Sequence, residues 1–365
     1  MTNIGRLDCF LRRSVLASWT FTRRALGLGA VSIAAVGPGL AAAPASSAPL
    51  LDDARIAFLP EARQRAGAFL TGLEEAQRDR TRFAFTAPSW RNWNYFGTTL
   101  IKPGLPLADM TPVQRDAALG LLASVFSDAG MEKADRVMAL QDVLAARGDP
   151  RHSSDNFSFA VYGQPGPSAP WAFRIEGHHL TATATFAGDD LISVTPSSFS
   201  CNPNAVATGA RRGRITLTDE ENLARALFAD LQGATARHAR ISEASYRNIV
   251  TSAGRENSLP GAEGVPASDL STGQADLLWA LIETYSLEHL GFAAAESQRA
   301  RIRSGDANSV RFAWAGGNRK DTAFSYRITG PTFAIELASV DSGAQHLHTI
   351  YHDLDRGLGQ HVLAG

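Results

Sequence analysis

Five of the nine histidines lie in two short stretches that are far apart in the sequence. His178 and His179 are adjacent, whereas one residue separates His346 from His348, and His352 follows shortly after. Imidazole nitrogens bind zinc, copper and iron, and residues two apart on a β-strand project from the same face, about 6.5 to 7 Å apart. The spacing therefore predicts a divalent transition-metal site with His346 and His348 as ligands and another histidine as the third.

Not all five histidines are placed to reach the same ion. On a regular strand, the adjacent His178 and His179 project from opposite faces, so only one of them is expected to face the metal unless Gly177 introduces a β-bulge. His352 lies four residues beyond His348 and is expected to reach the same centre only if the chain turns between them. His178, His179 and His352 are therefore all candidate ligands.

Charged residues beside the first histidine pair are candidates for catalysis. Three protein ligands leave one position open on a zinc ion, and a nearby carboxylate can then act as general base on a bound water. Glu176 is the candidate base, and Arg174 is the candidate for holding an anionic group of a substrate. The alternative for Arg174 is a structural pair with a buried carboxylate. The pattern predicts a metal-dependent enzyme, which we expect to be hydrolytic, or oxidative if the metal is copper or iron.

Aromatic residues close to these motifs are candidates for the wall of a ligand pocket. Trp90, Trp93 and Tyr95 lie in a segment without clear periodicity, and Trp171 begins the strand that leads to the first histidine pair. Clustered aromatic side chains line pockets but also fill the edges of hydrophobic cores, so both interpretations stay open. The alternative to an enzyme is a non-catalytic periplasmic protein that binds a metal ion or a small ligand.

The histidine pattern also has interpretations without a metal. The spacing His-x-His arises often by chance, and histidines on amphipathic strands commonly hydrogen-bond to backbone or carboxylate groups nearby. A metal-free polar cluster that binds a ligand or performs catalysis, and a purely structural role, therefore stand beside the metal site. The same alternatives apply to the cluster that contains Glu176, and the aromatic residues either line a pocket or fill the edge of a core.

The composition of the 365-residue chain excludes some classes of partner. Charged residues make up 19% of the sequence and the net charge is −1, so no strong positive field attracts a polyanion. We therefore expect a small-molecule substrate or ligand and no nucleic acid. Cys9 lies in the leader and Cys201 in the body, so the mature chain is expected to contain no internal disulfide bond.

The first 45 residues have the pattern of an export signal. Arg23 and Arg24 precede a mild, uncharged apolar run over residues 27–43, and small residues around Ala45 form a cleavage site. The arginine pair indicates a twin-arginine signal, with an ordinary secretory signal as the alternative. Gly37-Pro38 interrupts the run, which is shorter than the ~20 apolar residues that span a bilayer. We therefore expect a periplasmic or secreted protein with no stable membrane anchor.

The mature chain is expected to be an α+β protein built from two related units. The boundaries that we predict are a signal peptide at 1–45, an N-terminal helix and aromatic loop at 46–106, a first helix/sheet unit at 107–200, a connector with a helix at 201–267, and a second helix/sheet unit at 268–365. Shifting the sequence by 153 positions aligns six identical residues in the strand regions. This favours a duplicated unit of a helix pair plus an antiparallel sheet, with a histidine-rich cleft between the copies. Shared turn chemistry of two unrelated hairpin pairs is the alternative.

Three segments carry a family resemblance. The segments are the motif Trp-x-x-Arg-x-Glu-Gly-His-His-Leu at residues 171–180, the motif His-Leu-His-Thr-Ile-Tyr-His-Asp at residues 346–353, and the aromatic segment at residues 91–95. They resemble the family catalogued as domain of unknown function 3500. The resemblance covers most of the mature chain and implies an extracytoplasmic protein, without implying a particular reaction. It implies candidate site residues at the motif positions Glu176, His178, His179, His346, His348 and His352.

Overall fold

A computed structural model describes residues 57–97, 102–256, 258–259 and 262–362. The export signal expected at residues 1–45, including Cys9, lies outside these residues. Cys201 is described and is a buried free thiol. Within the described ranges, no helix combines the length and the apolar character that a bilayer crossing requires.

The described chain is a mixed α+β protein, as expected from the alternation of helical and strand patterns. Its helices are α1 (Pro60–Thr71), α2 (Glu75–Thr81), α3 (Pro88–Arg91), α4 (Pro112–Leu122), α5 (Asp128–Ala145), α6 (Thr218–Asp230), α7 (Gly233–Ala239), α8 (Thr272–Ser286) and α9 (Phe292–Arg303). The helices pack on the sheets through one large apolar cluster, which buries residues from both halves of the chain.

The first sheet is mainly antiparallel and lies in the N-terminal half. Its strands are β1 (Ala57–Phe58), β2 (Arg82–Phe83), β3 (Leu105–Pro106), β4 (Ser158–Gly163), β5 (Pro170–Gly177), β6 (Leu180–Ala187), β7 (Asp190–Ser193) and β8 (Ser198–Phe199). Strands β4 to β7 pair in sequence order, and the β2–β4 pair is the only parallel one among the described residues of this sheet. The alternating pattern of small, polar and apolar residues in the sequence predicts a strand from His178 to Phe186. In the structure this strand begins at Leu180, because residues 178–179 form the turn between β5 and β6.

The second sheet lies in the C-terminal half. Its strands are β9 (Arg240–Ser242), β10 (Val265–Pro266), β11 (Arg311–Gly316), β12 (Phe324–Thr329), β13 (Phe333–Ser339) and β14 (Leu347–Asp353). Strands β10 to β14 pair antiparallel in sequence order, and β9 adds a parallel contact to β11. His348 and His352 lie on β14, and His346 directly precedes it.

Strands β4 to β7 of the first sheet and β11 to β14 of the second each follow a helix pair, and both pairs begin with the same type of cap. The Thr111 hydroxyl accepts from the N–H of Gln114, whose side chain accepts from the N–H of Thr111, and Ser271 and Gln274 repeat this arrangement at α8. A capping box satisfies two backbone donors that the first turn of a helix leaves unpaired. The sequence pattern Thr/Ser-x-x-Gln at residues 111–114 and 271–274 predicts a helix start at both places, and the structure confirms it.

Two helix boundaries differ from the sequence prediction. Glycine commonly ends a helix, so the sequence predicts that the first helix of the pair ends at Gly130 and that the second begins at Glu132. In the structure α4 ends at Leu122 and Gly130 lies inside α5, which the Ser127 hydroxyl caps. A Cβ atom at position 130 would lie 2.2 Å from the carbonyl oxygen of His289. The glycine therefore permits a close approach between the two helix pairs, which a single-sequence pattern does not reveal.

A short segment between the sheets connects them directly. In β8, Phe199 pairs with Leu180 at the start of β6. Cys201 exchanges backbone hydrogen bonds of 2.9 Å with Leu347 of β14, and Ser197 exchanges bonds with Tyr351 of the same strand. Residues 197–201, called the bridging segment below, thus place the start of β6 beside β14.

Candidate metal centre

Three histidines from the two sequence motifs meet in the structure. The Nε2 atom of His346 lies 3.0 Å from Nε2 of His179 and 3.1 Å from Nε2 of His348. The three candidate ligand atoms all lie within 4.8 Å of one another. Bonds of about 2.0 to 2.1 Å at tetrahedral angles separate neighbouring ligand atoms by roughly 3.3 Å, which is close to the two distances from Nε2 of His346. The third pair, His179 and His348, must lie within about 4.2 Å to bind the same ion. His179, His346 and His348 are called the histidine triad below.

The bridging segment positions the triad. His179 ends the β5–β6 turn, and its carbonyl oxygen accepts a 2.8 Å hydrogen bond from the N–H of Ser200. The side chain of Ser200 accepts from the N–H of Thr349, the residue that follows His348. Ser200 therefore contacts both His179 and the residue next to His348, although the two motifs are more than 160 residues apart.

The backbone of His179 has a conformation that side-chain-bearing residues seldom adopt. Its φ angle is +71°, and its N–H donates a 2.8 Å hydrogen bond to the carbonyl oxygen of Tyr95. Left-handed backbone at a residue other than glycine costs about 1 to 3 kcal/mol and is common at ligand sites. The hydrogen bonds to Tyr95 and Ser200 hold His179 in this conformation, which brings its ring into the triad.

An asparagine fixes the tautomer of His348. The N–H of Ile249 donates a 2.9 Å hydrogen bond to Oδ1 of Asn248, which identifies this atom as the acceptor. Nδ1 of His348 lies 2.8 Å from the same oxygen and must therefore carry a hydrogen. In a neutral imidazole this leaves the lone pair on Nε2, the atom that faces the triad, as in metal sites with an outer hydrogen bond to a ligating histidine.

Burial lowers the pKa of all three triad histidines and so favours the neutral form that metal ligation requires. Desolvation lowers the pKa of His348 to about 3 and holds the pKa of His179 well below its usual value. The pKa of half-buried His346 is also lowered by desolvation, while the carboxylate of Asp341 acts in the opposite direction. Since a cation binds only the unprotonated ring nitrogen, these shifts favour ligation at neutral and mildly acidic pH.

The other two candidate ligands have different partners. The ring of His178 lies beside that of His179, with centroids 3.7 Å apart, but its Nδ1 lies 2.8 Å from Oε1 of Gln141. Nε2 of His352 donates a 3.0 Å hydrogen bond to the carbonyl oxygen of Thr251. Only one of the adjacent histidines joins the triad, as expected, although the reason is the β5–β6 turn rather than opposite strand faces. His352 lies four residues along β14 and does not join the triad.

Glu176 and Arg174 form a buried ion pair. Nε of Arg174 lies 2.6 Å from Oε2 of Glu176, and both side chains are 1% exposed. Arg174 also donates to the carbonyl oxygens of Trp90 and Ser89. Oε1 of Glu176 accepts a 3.0 Å bond from the N–H of Asn94. These contacts correspond to the structural alternative for Arg174 and occupy the carboxylate that was expected to serve as a base.

The four candidate aromatic residues lie in two different places. The Tyr95 ring lies 5.0 Å from the His348 ring, its hydroxyl donates to Asn248, and the Trp93 ring lies 5.6 Å from the His352 ring. Trp90, Trp93 and Tyr95 belong to one small apolar cluster, which is separate from the large one. Trp171, by contrast, stacks on Phe186 in the large apolar cluster, with ring centroids 4.3 Å apart. Tyr95 and Trp93 therefore border the histidine region, and Trp171 packs in the core.

Several residues near the triad were missed by the sequence analysis. Asn248 and Gln141 belong to segments without a recognisable motif, and His152 was considered isolated. Nδ1 of His152 lies 2.8 Å from Oε1 of Gln141, the same oxygen that contacts His178. Amide side chains that orient histidines have no characteristic spacing in sequence, so only the tertiary structure identifies them.

A cavity of about 560 Å³ lies beside the triad. His178 and Gln141 form part of its wall, together with Lys102 and Arg80. The His178 ring also contacts the His179 ring, so His178 borders both the cavity and the triad. The cavity is large enough for a small organic ligand.

The fold and the site define an α+β protein whose buried histidine triad could hold a metal ion. The chain belongs to the family described as Protein of unknown function (DUF3500), whose model matches residues 58–360. The resemblance seen in the sequence motifs is therefore confirmed. Comparison with curated proteins and with solved structures found no match.

Proposed function

We propose that the protein is a metal-dependent enzyme whose histidine triad binds one divalent transition-metal ion. The observation that carries this proposal is the convergence of three Nε2 atoms, with Asn248 directing the lone pair of His348 toward the other two. Nε2 of His346 is within hydrogen-bonding distance of two other ring nitrogens, but a neutral ring carries only one hydrogen. A cation satisfies all three lone pairs at once.

The number of ligands favours catalysis over a closed structural site. Structural zinc sites have four protein ligands, whereas catalytic sites have three and leave one position for water or substrate. Among the described residues, three histidines form the candidate group, and His346 is only half-buried. A bound zinc ion supplies Lewis acidity, which favours hydrolysis; copper or iron in the same ligands favours oxidative chemistry.

A non-catalytic protein that binds a metal ion or small ligand is the second candidate. It is favoured by the contacts of Glu176, since this carboxylate pairs with Arg174 and accepts from the backbone of Asn94. A carboxylate held in this way is a poor general base. An enzyme built on the triad therefore needs another proton acceptor.

We also propose that the two halves arose by duplication and that the histidine-rich region lies between them. The registers support this, since Phe159 pairs with Ile175 in the first sheet and Phe312 pairs with Ile328 in the second, as the shift of 153 positions requires. The triad draws His179 from one half and its other two members from the other half. The leader pattern further supports export by a twin-arginine signal to the periplasm or the cell exterior.

Elemental analysis of purified protein tests the proposed metal centre. We expect about one transition-metal ion per chain in the wild type and loss of that ion in the double variant His346→Ala/His348→Ala. The variant His238→Ala is the matched control because His238 is exposed and lies outside the triad. A wild type that takes up no metal, or a double variant that retains one ion per chain, contradicts the proposal.

A further inference from the structure

The cavity beside the triad has a positively charged wall. Arg80 and Lys102 line it, and none of the described lining residues is acidic. The Lys102 side chain is only 6% exposed, and its Nζ donates to the carbonyl oxygen of Asn94 at 3.0 Å. A buried ammonium group is costly unless an opposite charge compensates it. The negative charges that lie near the Lys102 ammonium group therefore indicate which kind of ligand the cavity can bind.

Lys102 belongs to a buried group with two cations and one carboxylate. Its Nζ lies 3.7 Å from Oε1 of Glu176, while Oε2 of the same carboxylate lies 2.6 Å from Nε of Arg174. Two cations thus share one carboxylate, and the group has a formal net charge of +1. Burial lowers the pKa of Lys102 to about 8, and the charge of Glu176 opposes this shift. The ammonium form therefore still predominates at pH 7.

In the second half of the chain, Arg327 corresponds to Arg174, and negative charges outnumber positive charges around it. Arg327 lies 3.0 Å from an oxygen of Glu263 and 3.5 Å from an oxygen of Glu336, so two carboxylates surround one cation. The surplus of positive charge is therefore a property of the first half and not a general consequence of this sheet arrangement. It occurs where the cavity lies.

The remaining wall of the cavity is suited to an organic molecule. Phe83, Pro103 and Pro106 provide apolar surface, and Arg80 lies at an exposed edge, where it pairs with Asp109 at 2.8 Å. A ligand that combines an apolar body with one anionic group complements both the apolar wall and the surplus charge.

We propose that this cavity binds a small organic carboxylate, with Lys102 as its principal counter-charge and Arg80 as a second cation at the edge. The inference rests on the proposed metal centre for its functional meaning, since the carboxylate is then the substrate or ligand of that centre. His178 connects the two parts, because it lines the cavity and its ring contacts His179. Lys102 is in this view a substrate-binding residue.

Calorimetric titration of the metal-free protein with acetate, succinate and benzoate tests the inference. We expect saturable binding of at least one of these probes, and binding at least about tenfold weaker for the corresponding neutral amide. Lys102→Met is expected to weaken the best probe by at least about tenfold, and Arg80→Met is expected to weaken it by less. Arg82→Met is the matched control, since Arg82 is exposed, lies two residues further along and is absent from the cavity wall.

Two results contradict the inference: none of the three probes binds the wild type, or Lys102→Met leaves the affinity within about twofold of the wild-type value. If Lys102→Met does not fold, the affinity of Arg80→Met for the best probe decides instead, and an affinity equal to that of the wild type contradicts the inference. Metal content is measured on the same samples. Carboxylate binding without metal uptake contradicts only the metal centre, and metal uptake without carboxylate binding contradicts only the cavity ligand.

Discussion

At the scale of single residues, Asn248 determines which ring nitrogen of His348 faces the triad with its lone pair. Its Oδ1 accepts from the backbone of Ile249, from the Tyr95 hydroxyl and from Nδ1 of His348. The backbone bond determines which atom of the amide is the acceptor, and that atom determines the tautomer of His348. Outer hydrogen bonds of this kind orient ligating histidines and increase their basicity.

The variant Asn248→Ala is therefore expected to weaken metal binding by about 10- to 100-fold, because His348 loses the acceptor that keeps its hydrogen on Nδ1. Competition with a chromophoric chelator measures the change in affinity. Asn308→Ala is the control, since this asparagine is exposed and lies outside the triad. An unchanged affinity of Asn248→Ala means that Nε2 of His348 does not bind the metal.

At the scale of secondary-structure elements, the bridging segment determines whether the triad forms. Thr349 of β14 accepts from the N–H of Phe199 at 3.2 Å and donates to its carbonyl oxygen at 3.0 Å. These two bonds join β8 to β14 in a fully buried environment. They therefore connect the strand that carries His348 to the segment that contacts His179.

The variant Thr349→Val is expected to lower the free energy of unfolding by about 1 to 3 kcal/mol, because it leaves two buried backbone groups of Phe199 unpaired. It is also expected to weaken metal binding, since the two parts of the triad lose a shared support. Chemical denaturation and the chelator competition measure the two effects. Thr329→Val, at the partly exposed end of β12, is the control; equal stability of both variants contradicts the role of the bridging segment.

At the scale of the whole molecule, buried histidines make stability depend on pH. Burial lowers the pKa of His352, of His178 to about 3, and of His289 well below the usual value. In the unfolded chain the same rings protonate near pH 6.5. The folded state therefore binds fewer protons than the unfolded state below that pH, and protons favour unfolding.

The free energy of unfolding of the metal-free protein is expected to fall as the pH decreases from about 6.5 toward 4, by up to about 1.4 kcal/mol per pH unit for each buried histidine. The stabilisation is complete above pH 6.5 and is lost as the pH approaches the lowered folded-state pKa values. His352→Gln keeps a side-chain donor for Thr251 but cannot titrate in this range, so it should reduce the slope. His238→Gln is the exposed control. A wild-type stability that is flat between pH 6.5 and 4 contradicts this expectation.

Much of the fold follows from local patterns in the sequence. The capping boxes at Thr111 and Ser271 and the alternation in residues 180–187 predict helix and strand identity, because these signals act over a few residues. The pairing of His346 with His348 also follows from strand geometry. The position of Gly130 inside α5 does not, because its reason is a contact with the distant His289.

The sequence alone determined the family, the α+β class and the identity of the histidines that could meet. Only the tertiary structure decided that His179, and not His178 or His352, joins His346 and His348. The physical reason is that the choice depends on the β5–β6 turn and on hydrogen bonds from the bridging segment. The hydrogen bond from Asn94 to Glu176 and the contact of Asn248 with His348 likewise join residues 82 and 100 positions apart, for which a single sequence carries no local signal.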